Sequence, residues 1–176
     1  IGASDMETGM ETIIEQLAGF SAGTRFEELP APVVHEVKRL VLDSIGCAFA
    51  AVEHPKGRIG IEYGRMVAGQ GNAAIIGTPH RASVLGAAIA NGELINALDM
   101  DAVVPPGHVT PYVLPGALAI GETSDASGRD LIRAMAVAHE MSWRFGKAMD
   151  DLRDMKNGQL DTPKVFGFSS TIFGAT

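Results

Sequence analysis

Three shortages in the sequence each remove a class of function. Only one cysteine, Cys47, occurs among 176 residues. No disulfide can therefore close within the chain, and a cysteine-built zinc site has no second ligand. Cys47 lies in the apolar run 45–49 and reads as a small buried hydrophobe. Lysine and arginine number 14 against 21 aspartates and glutamates, a formal net charge of -7. Phosphate recognition needs clustered cations, so nucleic acid and anionic membrane surfaces are not expected partners. No apolar stretch reaches the length of a membrane span, and the acidic beginning, with Asp5, Glu7 and Glu11, is unlike a secretory signal. These features predict a cytoplasmic protein with no membrane segment.

Cofactor and metal signatures are missing too. His35, His54 and His80 read as surface or turn positions without a partner at ligand spacing, and Gly69-Gln70-Gly71 lacks the preceding strand of a phosphate-binding loop. No metal and no cofactor are expected. There is no solenoid repeat, no low-complexity tract and no convincing strand alternation.

What is present is helical periodicity in a chain of single-domain size. Ile13, Ile14, Leu17 and Phe20 predict a first helix over about 10–20. After Pro30 and Pro32, the stripe Val34, Val37, Val41, Ile45 and Ala48 predicts a second, over about 33–51. Ile59, Tyr63, Met66 and Val67 suggest a third, closing at the glycines of 69–71. Residues 73–76 fit a brief strand or a buried connection. The segment 82–98 is apolar nearly all round and reads as the central helix. Further helices are expected through Val113, Leu114 and Ile120, and from Ser127 to Phe145. An exposed loop is expected over 150–158, followed by an apolar segment over 165–176. The fold class is all-α, with residues 1–176 as one domain.

Polar and proline-rich residues interrupt the two central helices. Asp99 and Asp101 stand where the first gives out, and His108 follows among Pro105, Pro106 and Pro111. Loops that break buried helices are common places for sites. An imidazole titrates near neutrality, and a neighbouring carboxylate can orient it or act as its complementary base. Asp99 and His108 are accordingly the candidate catalytic pair. His139, in the last long helix, reads as a polar group satisfied between helices.

Several segments carry a family resemblance: Leu40-Val41-Leu42-Asp43-Ser44-Ile45-Gly46-Cys47-Ala48, Ala90-Asn91-Gly92, Ala97-Leu98-Asp99-Met100-Asp101 and Leu114-Pro115-Gly116-Ala117-Leu118-Ala119. In order and spacing the chain resembles the MmgE/PrpD family from about Leu17 to Thr176. That family includes 2-methylcitrate dehydratases, cis-aconitate decarboxylases and iminodisuccinate epimerases, and it pairs a large helical domain with a smaller lid. The resemblance implies an MmgE/PrpD-like helical domain with the lid domain absent from this sequence. It places Asp99 and His108 on active-site positions. Ala102, Val103 and Asn96 depart from the family's usual aspartate, threonine and histidine, and Asp161 occupies the place of a further histidine, which leaves substrate and reaction open.

The functional expectation is cofactor-independent acid–base chemistry on a small polycarboxylate, with dehydration first and epimerisation or decarboxylation as alternatives. Asp101, Thr110, Asn96 and Lys164 are the expected substrate contacts, with Arg144 behind them. The loop 99–112 contains no cation to neutralise substrate carboxylates. A homodimer, or a complementary subunit supplying the lid, is expected. The rival reading is a helical scaffold or assembly subunit without catalysis of its own.

Overall fold

A computed structural model describes residues 11–67, 69–104, 107–148, 155–156 and 159–160, the last two pairs by backbone alone. Six helices carry the fold: α1 (Ile13–Gly23), α2 (Ala31–Ala51), α3 (Pro55–Val67), α4 (Val84–Asn96), α5 (Thr110–Thr123) and α6 (Gly128–Ala148). The domain is all-α. Among the described residues the strands are three antiparallel two-residue pairs: β1 (Ala73–Ala74) with β2 (Arg81–Ala82), β3 (Val103–Val104) with β4 (Gly107–His108), and β5 (Met155–Lys156) with β6 (Gln159–Leu160). The last pair falls partly within the stretch read as a loop. Expectations for Pro105, Pro106, Asp161, Lys164 and segment 165–176 lie outside the described residues.

Local chemistry sets the helix boundaries. Thr12 caps α1 reciprocally with Glu15, whose carboxylate accepts from the Thr12 backbone N–H at 2.7 Å. Such a box contributes about 1 kcal/mol. Pro55 opens α3 rather than merely breaking what precedes it, because its missing N–H is harmless in a first turn. The apolar stripe of α1 differs from expectation: Ile13 and Ile14 are exposed, and none of the helix's residues is buried.

The core centres on α4, whose Ala87, Ala90, Leu94 and Ile95 are buried among α2, α3 and α5. Full burial of side chains such as Leu94 and Ile95 stabilises by roughly 1.5–3 kcal/mol each. Small residues decide how closely the neighbours approach. Gly57, Gly60 and Gly64 line one face of α3, and a Cβ at any of them would collide with Ala51, Glu93 or Gly86 respectively. The glycines let α3 lie directly on α4, which brings Lys56 alongside the C-terminal turn of α4.

On the other side, a Cβ at Gly92 of α4 would come 3.0 Å from the carbonyl oxygen of Pro111. Pro115 lies inside α5 and has no N–H to return to that carbonyl, so α5 leaves this acceptor facing Gly92 of α4. Asn91, also on α4 and buried, donates to Ala74 O at 3.0 Å and accepts from Ile76 N–H at 2.9 Å. The motif residues Asn91, Gly92 and Pro115 thus hold α4, α5 and the β1 connection together.

Candidate functional site: an imidazole between two carboxylates

Helix α4 ends at Asn96, and the chain turns through Asp99, which takes a left-handed backbone at φ 54°. Aspartate tolerates that region better than most residues with a Cβ, though still at a cost of order 1 kcal/mol. The β3–β4 pairing sets His108 opposite Val103 and so folds the imidazole back onto the end of α4.

The result is a line of close polar contacts. His108 Nδ1 lies 2.7 Å from Asp101 Oδ2, and its Nε2 lies 3.3 Å from Asp99 Oδ1. The Asp101 side chain has no exposed surface, whereas that of Asp99 is 81% exposed and that of His108 19%. The other oxygen of Asp101 accepts from the Asn96 amide at 3.1 Å, and the Asn96 carbonyl accepts from Lys56 Nζ at 3.0 Å. An ammonium group can only donate, so the Asn96 oxygen faces Lys56 and its NH2 faces Asp101.

The two carboxylates therefore have different jobs. Asp101 is sealed behind the ring and held by two donors, so it orients Nδ1–H and turns Nε2 outward. Asp99 stands at the outward nitrogen, open to solvent. Both expected catalytic residues meet at this point. Asp101 and Asn96, expected to touch substrate, are bonded to the imidazole and to each other. Cys47 and Tyr112 border the site. Burial first, then the Asp43 and Asp101 carboxylates, pushes the half-buried Cys47 thiol up, which disfavours a nucleophilic thiolate. Burial, with Asp101 and Glu93 nearby, raises the Tyr112 phenol in the same way and keeps it a donor at neutral pH.

Thr110, also expected to touch substrate, is bonded elsewhere. It is buried, and its hydroxyl lies 3.0 Å from His139 Nε2, while His139 Nδ1 lies 2.8 Å from the Met135 carbonyl. A carbonyl only accepts, so Nδ1 carries the imidazole proton and Nε2 accepts from Thr110. The Thr110 proton serves this structural link between α5 and α6, and His139 is satisfied between helices as read from the sequence. Burial pushes the His139 imidazole below its usual range, partly countered by the Met135 carbonyl, in keeping with a neutral ring.

Lys56 was missed. It is the cation joined to the site's hydrogen bonds, while Arg144 pairs with Glu140 at 2.7 Å. The available signal was the glycine spacing of α3, which fixes where Lys56 lands. Ligand-type atoms of Asp99, Asp101 and His108 lie within 4.8 Å of one another. Asp101 Oδ2 is bonded to His108 Nδ1, and Asp101 Oδ1 accepts from the Asn96 amide. Two apolar grooves, of about 490 and 610 Å³, have none of these three residues in their linings.

Fold and site together define a helical domain that presents an imidazole oriented by a buried carboxylate beside an exposed one. The profile of the MmgE/PrpD N-terminal domain matches residues 15–175, and the chain belongs to that family. It is 27% identical over 164 residues to a cis-aconitate decarboxylase of Homo sapiens, covering 90% of this chain and 34% of that protein. A cis-aconitate decarboxylase of Aspergillus terreus is 26% identical over 153 residues, covering 83% of this chain and 31% of the relative. The chain spans about a third of the length of these curated relatives.

Proposed function

We propose that this domain supplies the acid–base centre of a lyase acting on a small polycarboxylate, without a cofactor. The observation that carries the reading is the His108 imidazole set between buried Asp101 and exposed Asp99. Held from behind by Asp101, the ring offers Nε2 as the proton-transferring atom beside Asp99. In a decarboxylation, the acid form protonates the carbon that gains hydrogen as the electrons of the departing CO2 move into the substrate. In a dehydration, one member of the pair removes a carbon-bound proton and the other protonates the leaving hydroxyl. The names of the relatives favour the first of these eliminations.

Negative charge crowds this site, so substrate carboxylates need cations, and Lys164 is the candidate carried from the sequence. The same reading gives the domain a partner surface, a second copy or further chain, over exposed Leu42, Phe49, Ile59 and Met66. Among the described residues no helix is long and apolar enough to cross a membrane, and a cytoplasmic setting is part of the proposal.

The test offers cis-aconitate and a set of hydroxy tricarboxylates to the purified protein and follows CO2 and water release. Turnover of one of them, lost on His108→Ala, supports the reading. Absence of turnover with every polycarboxylate, alone and with a lid-bearing partner, favours the scaffold alternative.

A further inference from the structure

We propose that Lys56 is a positioning residue for His108, acting through Asn96 and Asp101, and that it is not a substrate contact. The inference rests on the acid–base reading of His108 and extends it to a residue on another helix. Its physical basis is the direction of each hydrogen bond. Lys56 donates to the Asn96 carbonyl at 3.0 Å, which forces the Asn96 NH2 toward Asp101 at 3.1 Å, and that fixes one Asp101 oxygen while the other meets His108 at 2.7 Å.

A buried carboxylate with two fixed donors has one orientation, and the ring it holds has one as well. Without the ammonium, the Asn96 oxygen loses its donor, and the Asp101 carboxylate alone keeps the NH2 end turned inward. The amide is then held at one end rather than two, so the Asn96–Asp101 bond slackens and the buried carboxylate is less firmly set against Nδ1. The charges around Lys56 suit this task. Glu93 lies 3.7 Å from its Nζ and steadies the ammonium over Asn96, and the Lys56 side chain is 44% exposed, so the surface pair itself contributes little. Delivery of Lys56 to this place depends on the close α3–α4 approach through Gly57, Gly60 and Gly64.

The test combines kinetics with a measurement that needs no substrate. Lys56→Met, Lys56→Arg, Asn96→Leu and the Lys56→Met/Asn96→Leu double variant are compared in the purified protein. Lys56→Met is expected to lower kcat roughly tenfold with KM within about twofold, the scale of one lost hydrogen bond in a positioning network. Lys56→Arg restores most of the rate. In the Asn96→Leu background, Lys56→Met adds nothing further, because the link is already cut. The side-chain amide resonances of Asn96 shift toward the free-amide position in Lys56→Met while the melting temperature stays put. Additive losses in the double variant, a KM rise with kcat retained, or unchanged Asn96 amide resonances would each overturn the inference. The amide signature is read without turnover, so it separates failure of this link from failure of the catalytic reading.

Discussion

The carboxylate of Asp101, with no exposed side-chain surface, holds Nδ1 of His108 at 2.7 Å and leaves Nε2 facing the solvent-exposed carboxylate of Asp99. Burial separates two aspartates that stand two positions apart in the sequence into one sealed behind the ring and one open to solvent. The partition leads to distinct expectations for each.

Asp101→Asn keeps the volume but replaces an acceptor with an amide that can present N–H to the imidazole, favouring the wrong tautomer. Activity is expected to fall by roughly 10²–10⁴-fold, with substrate affinity little changed. Steady-state kinetics check this. A rate within a few fold of wild type would remove Asp101 from the orienting role.

Asp99 tests charge and backbone separately. Asn shares the tolerance of Asp for the left-handed conformation at φ 54°, so Asp99→Asn is expected to lose most turnover at an unchanged melting temperature. Asp99→Val, β-branched at the same position, is expected to lose turnover and about 1–3 kcal/mol of stability as well. Thermal melts and assays of the two variants side by side distinguish the effects.

Packing of α3 on α4 is tested by glycine substitution. A Cβ at Gly64 meets the backbone carbonyl of Gly86, which has no flexible side chain to move aside, and Gly64→Ala is expected to cost about 1–3 kcal/mol through overpacking. Gly46 lies inside α2 with nothing within 4 Å of a Cβ placed there, so Gly46→Ala is expected to stabilise by about 0.4–1 kcal/mol. Denaturant titrations give both signs.

His139 adds a pH dependence. Its imidazole is held below the ordinary value by burial, so the unfolded chain binds the proton more readily than the fold does. The associated stability is present above the unfolded value near 6.5 and is lost as pH falls through the lower folded value. Protonation would also turn Nε2 from acceptor into donor against Thr110. Wild type is therefore expected to lose melting temperature more steeply than His139→Gln over about pH 7 to 5. Parallel acid limbs in the two proteins would contradict the assignment.

Much of this was legible in the sequence because apolar spacing reports helices directly. Helices α2 and α4 both emerged where expected, although only Val37 and Ala48 of the α2 stripe are buried and Leu85 of α4 is exposed. The meeting of Asp99 and His108 was also readable, since both lie in one short interruption. The different roles of Asp99 and Asp101 were not, because burial depends on the left-handed turn and the β3–β4 reversal rather than on residue type. Lys56 was hidden by distance: its link to Asn96 spans 40 positions and depends on helix packing. The bond between Thr110 and His139 was not legible, because the two residues belong to different helices.

Incorporation of solvent deuterium into a small polycarboxylate, measured for wild type and His108→Gln with folding verified by circular dichroism, tests the acid–base centre most directly. The account predicts that exchange at the reacting carbon falls at least roughly a hundredfold in the variant. Equal rates in the two proteins would contradict it.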